Sequence, residues 1–113
     1  LILPTGKILV TSLLPDTDPQ KSILESYEAD YKAKWSANVS GFGGYAYDAM
    51  HLLAKAIKGS NGDKEKIRAA LESIQGHVGV SGEFNFSKDD HNGLSADAFV
   101  MVEIENGTWK LIK

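Results

Sequence analysis

Apolar positions along the chain change their spacing from segment to segment, and the changes predict its elements. Lys7–Leu14 (Lys-Ile-Leu-Val-Thr-Ser-Leu-Leu) is a short apolar run bounded by Gly6 and Pro15, the pattern of a strand buried on both faces. Pro15–Pro19 is a polar, proline-bracketed connector in which Asp18 and Pro19 suit an N-cap and a first helical position; Ser22 with Glu25 also fits a capping box. The helix that follows sets Ile23 or Leu24, Tyr27, Tyr31 and Trp35 along one edge, with Glu28–Lys32 and Asp30–Lys34 as i,i+4 pairs on the others. At helical spacing such an aromatic stripe is core more often than partner surface.

The most distinctive stretch is Gly41–Lys58, which reads as a glycine loop feeding a helix. From Ala49, apolar residues return at Leu52, Leu53, Ala56 and Ile57, while Asp48, His51, Lys55 and Lys58 fall on the opposite, polar side. Gly59 supplies a helix stop. A third helix, capped by Asp63, carries Ile67, Ala70, Leu71 and Ile74 and ends at Gly76. Val78–Phe86 is extended and glycine-interrupted, with Phe84 and Phe86 pointing the same way. Ala98–Glu105 and Thr108–Ile112 flank Asn106-Gly107, the preferred two-residue type I′ turn of a β-hairpin.

Composition narrows the class. A chain of 113 residues with 42% hydrophobic residues can bury a core. Its formal charge of -3, with no basic block, carries no nucleic-acid footprint. No cysteine is present, which excludes disulfides and thiolate chemistry. No apolar run approaches the ~20 residues of a membrane span. The chain opens Leu-Ile-Leu-Pro with neither a Met nor a signal-peptide pattern, so a fragment is the favoured expectation.

Chemical motifs are sparse. Gly41, Gly43 and Ala46 match G-x-G-x-x-A and open a helix, yet the preceding Trp35–Ser40 is no buried strand. The acidic residues some twenty positions on begin another helix instead of ending a strand. Asp89, Asp90, His91 and Asn92 fit neither a calcium loop nor a transition-metal site, and read as a solvated turn. His51 suits an i,i+3 surface pair with Asp48, and His77 a turn position. Ser81 in Gly-Val-Ser-Gly is not a nucleophile elbow. Nothing here predicts catalysis, a metal or a cofactor.

Phe42-Gly-Gly-Tyr-Ala-Tyr-Asp-Ala-Met with the downstream Leu-Leu-Ala-Lys-Ala resembles the "YDA…LL..A" helix of the type I periplasmic solute-binding proteins of ABC transporters, the branched-chain amino-acid binding family. The neighbouring segments agree with it in order. Leu14-Pro15, Pro19 and Tyr31-Lys-Ala-Lys resemble the family's connector and helix, and Asp63–Glu72 its "IRdALE" helix. Gly79–Phe86 resembles its "GvtGxfxF" strand, and Val100–Lys110 its terminal hairpin.

The resemblance implies an α/β fold: Rossmann-like layered lobes of a type I periplasmic binding protein, with this chain a C-terminal fragment ending in the hairpin. Residues 1–14 would be a lobe 2 strand, 15–93 a portion of lobe 1, and 94–113 a hinge crossing with the lobe 2 hairpin. The implied function is non-enzymatic capture of a small molecule, a hydrophobic or branched-chain amino acid or an aromatic carboxylate. Delivery would be to a membrane ABC permease, from the periplasm or the bacterial cell surface. The family's cleft aromatic aligns with Phe42, and Gly43 and Tyr45 are further ligand-binding candidates. A ligand-sensing domain of a receptor or regulator is the alternative. A lobe without its first strands has an open sheet edge, so the isolated chain is expected to form a strand-exchanged homo-oligomer.

Overall fold

The structure, a computed structural model, describes residues 1–112. Strand β1 (Ile2–Gly6) leads into two 3-10 turns, Lys7–Leu9 and Thr11–Leu13, and then into helices α1 (Lys21–Trp35), α2 (Gly41–Ile57) and α3 (Lys64–Glu72). Two short strands follow, β2 (His77–Val78) and β3 (Glu83–Phe84), and the chain closes with β4 (Phe99–Glu105) and β5 (Thr108–Ile112). β4 lies between β1 and β5 in an antiparallel sheet, with Leu3 opposite Val102 and Val102 opposite Leu111. β2 and β3 form a separate antiparallel pair, His77 opposite Phe84.

The strand expected over Lys7–Leu14 is not formed. The strand comes earlier, at Ile2–Gly6, and the apolar run that follows winds into the two 3-10 turns. Ile8, Thr11 and Leu14 are spaced by three, the repeat of a 3-10 helix, and all three are buried. A short apolar run specifies burial without choosing between the two conformations. Pro4 is tolerated in β1 because that strand sits at the sheet edge.

Helix α1 starts a little later than Pro19. The Asp18 carboxylate accepts the Gln20 N–H at 2.9 Å, and its carbonyl accepts that of Lys21. Asp63 caps α3 by accepting from the Lys66 N–H at 3.1 Å. The terminal turn has φ 53 at Asn106 and φ 77 at Gly107, the two positive values that a type I′ hairpin needs. Phe84 and Phe86 point the same way, their rings stacked 5.6 Å apart.

Two apolar clusters hold the molecule. Ile8, Val10, Leu14, Leu24, Tyr27, Val80 and Val102 join the sheet to α1 and the β2–β3 turn. Leu52, Ile74 and Phe84 join α2 to the segment after α3. The radius of gyration is 15.8 Å, against the roughly 13 Å of a compact chain of this length.

Candidate functional site

The glycine loop expected before α2 is helix from Gly41 onward. Ser40 caps it, with its Oγ accepting the Gly43 N–H at 3.3 Å and its carbonyl accepting that of Gly44. The glycines serve close approach instead of a loop. A Cβ on Gly43 would lie 3.0 Å from the Tyr27 hydroxyl, and one on Gly44 would lie 2.7 Å from Val80 Cγ1. They are room for α1 and the β2–β3 turn beneath the helix.

Phe42 and Tyr45 point outward from the first turns of α2. Phe42 is 86% exposed and Tyr45 50%. Their rings stand edge to face with centroids 6.4 Å apart. The Tyr45 hydroxyl reaches over Gly6, at the end of β1, and over Gly41. The aromatic pair therefore sits where the sheet meets the helices, beside a helix N-terminus whose partial positive charge suits a carboxylate. Gly43 lies against Tyr27 on the α1 side, away from the pair. On the other flank of Tyr45 is a cleft of about 250 Å³ shared by Leu52, Phe84, Asn92 and Leu94.

Asp48, read from the sequence as a surface residue, is 2% exposed. Its two carboxylate oxygens accept the N–H groups of Val80 at 2.8 Å and Ser81 at 2.6 Å. A carboxylate paired with consecutive backbone donors is stable when buried, because both oxygens are satisfied by charge-assisted bonds. Gly79 makes the approach possible, since a Cβ there would fall 2.6 Å from Asp48 Oδ1. From the opposite side the Gln20 amide, 3% exposed, donates to the carbonyls of Gly79 at 3.0 Å and Val80 at 3.2 Å. The Asp48–His51 surface pair is thus absent, and His51 packs instead against Tyr47, the rings tilted by 51° with centroids 4.3 Å apart. The only sequence signal for this clamp was the Gly-Val-Ser-Gly segment, whose glycines permit a close backbone approach.

The aromatic edge of α1 divides. Tyr27 is buried, and burial, followed by the nearby Tyr31, Asp48 and Tyr47, pushes its hydroxyl pKa up. Trp35 is 61% exposed and, with Tyr31, Tyr47, Met50 and His51, lines a groove of about 470 Å³ between α1 and α2. The Asp89–Asn92 segment is turn chemistry: the Asp90 carboxylate accepts the N–H groups of Asn92 and Gly93, and His91 pairs with Glu72 at 3.2 Å. Among the described residues there is no cluster able to hold a metal ion, and no helix is long and apolar enough to cross a membrane.

No protein-family model and no curated protein matches the chain. Solved structures do. An extracellular ligand-binding receptor from Rhodopseudomonas palustris HaA2 superposes over 100% of this chain and 34% of its own, at 21% identity and a TM-score of 0.84. A periplasmic binding protein type 1 from Bordetella pertussis Tohama I matches 98% of this chain and 32% of its own, at 24% identity and a TM-score of 0.73. The leucine-binding protein LivK of Thermotoga maritima MSB8 matches 100% of this chain and 30% of its own, at 19% identity and a TM-score of 0.70. The chain has the fold of this group and spans about a third of the length of the structures it matches.

Proposed function

We propose that this chain, folded as part of a type I periplasmic binding protein, is the C-terminal portion of an extracytoplasmic solute-binding protein serving an ABC-type importer. The observation that carries the reading is the aromatic pair Phe42 and Tyr45, held out at the N-terminus of α2 where the sheet meets the helices. An apolar ring surface beside a helix N-terminus suits a ligand with an apolar body and a carboxylate. Hydrophobic or branched-chain amino acids and aromatic carboxylates both meet that description. In this reading residues 1–14 and 94–113 belong to one lobe and 15–93 to the other, with the connectors crossing between them. The partner is a membrane permease, and the protein performs no covalent chemistry on its cargo.

The test is a thermal-shift panel on the longest natural form of the protein, with hydrophobic amino acids and aromatic carboxylates as ligands. A ligand that binds only the folded state raises Tm by mass action. A rise with at least one of the two classes is the expected result. A flat response to both, with intact folding, overturns the reading.

A further inference from the structure

The floor beneath the aromatic pair is built from polar groups that the proposed binding does not itself use. Gly44, between Phe42 and Tyr45 in sequence, rests on Val80, which is 1% exposed. Val80 belongs to the Gly79–Ser81 turn, strung between two buried side chains: its N–H groups run to Asp48 on α2 and its carbonyls to Gln20, just ahead of α1. Gln20 follows the Pro15–Pro19 connector, which is also tied to the end of β1 by the half-buried Lys7–Asp18 ion pair at 2.9 Å. One chain of contacts therefore runs from the β1 end through the connector and the turn to the second turn of α2. Asp48 forms no ion pair among the described residues, so the two backbone N–H bonds are what holds its charge in place.

We propose that Asp48 and Gln20 are positioning residues for the ligand site: by clamping the Gly79–Ser81 turn beneath Gly44 they fix the rotation of the first turns of α2, and so the direction in which Phe42 and Tyr45 face. The proposal deepens the solute-binding reading and rests on it for its consequence in affinity, but its geometric content does not need a ligand. Asn in place of Asp48 keeps the shape of the side chain, turns one acceptor into an NH₂ group facing a backbone N–H, and removes the charge. Met in place of Gln20 removes the donor to both carbonyls and keeps the volume similar.

The experiment uses the longest natural form of the protein, carrying 4-fluorophenylalanine at position 42, as wild type, as Asp48→Asn and as Gln20→Met. Fluorine NMR reports the environment of the ring against Tyr45, and calorimetry with leucine and with 4-hydroxybenzoate as probes reports affinity, both well below each Tm. In either variant the fluorine resonance is expected to shift and broaden, and the affinity of whichever probe the wild type binds to fall about tenfold or more. A resonance superimposable on that of the wild type in both folded variants overturns the positioning role, as does unchanged affinity. If the wild type binds neither probe, the function reading fails on that count, while the fluorine spectrum still decides whether the clamp sets the ring. Should Asp48→Asn fail to fold, Gln20→Met carries the test.

Discussion

At the residue scale the decisive contacts involve side chains that are missing as much as those present. Gly44 and Gly79 each admit a neighbour at a distance that no Cβ allows. Gly44→Ala is expected to cost about 1–3 kcal/mol through overpacking against Val80, outweighing the gain in helix propensity. Chemical denaturation of Gly44→Ala with and without Val80→Ala checks it, since the second change clears the clash and should make the pair strongly non-additive. Ser81 behaves oppositely. Its hydroxyl is buried with no hydrogen-bond partner among the described residues, so Ser81→Ala is expected to be neutral or stabilising, within about 1 kcal/mol, in the same assay. Apart from the glycines that flank Val80 and Ser81, none of this was legible in the sequence. Asp48 falls among charged residues on the polar arc of its helix, and only the arrival of a backbone turn from some thirty residues downstream makes that position a buried one. Phe42 and Tyr45, proposed as ligand contacts from the resemblance, stand side by side in the fold, while Gly43 turns to α1.

At the scale of elements, local signals were strongest where a turn or cap has its own chemistry. Asn106-Gly107 specifies the terminal hairpin and Asp63 the start of α3, because each acts on backbone within a few residues. The stretch from Lys7 to Leu14 misleads, because a short apolar run does not say how it is wound: in the 3-10 turns Ile8, Val10 and Leu14 are buried while Leu9 and Leu13 stay exposed. The start of α2 misleads for a related reason. Glycine lowers helix propensity, and the gain that offsets it is tertiary contact with Tyr27 and Val80. His77, in β2 opposite Phe84, offers a test of how the small β2–β3 pair contributes. Burial pushes its imidazole below the usual histidine range, with Lys55 and His51 acting in the same direction and Asp48 against them. The unfolded chain then takes up the proton first as pH falls, so this residue's contribution is complete above about pH 6.5 and is lost below it. Melting curves between neutral and mildly acidic pH should show that loss, and His77→Gln should remove this part of it.

At the scale of the whole molecule, apolar surface exceeds what the chain can cover. Helix α2 buries Gly44, Asp48, Leu52 and Ala56 on one side while Met50, Leu53 and Ile57 stay open on another. The sheet likewise leaves Ile2, Phe99 and Met101 exposed. Exposed patches of this kind mark surfaces that meet other protein. The 113-residue chain on its own is therefore expected to self-associate, and light scattering on it at high concentration should report more than the monomer mass. Pro4 on β1 and Lys110 on β5 guard the two sheet edges, so any strand exchange has to overcome them. A stable monomer would count against both association and exchange. The sequence led to the right architecture through segment order and not through any single motif, and the layered fold matches about a third of each structure in the group.

The proposed role of Phe42 in holding a small carboxylate ligand is tested most directly by calorimetric titration of the longest natural form of the protein and of its Phe42→Ala variant, with leucine and with 4-hydroxybenzoate. The expected result is saturable binding of at least one of them, weakened in the variant by about 1–3 kcal/mol through lost apolar contact. Equal affinity in the two proteins, or no binding by a folded wild type, would contradict it.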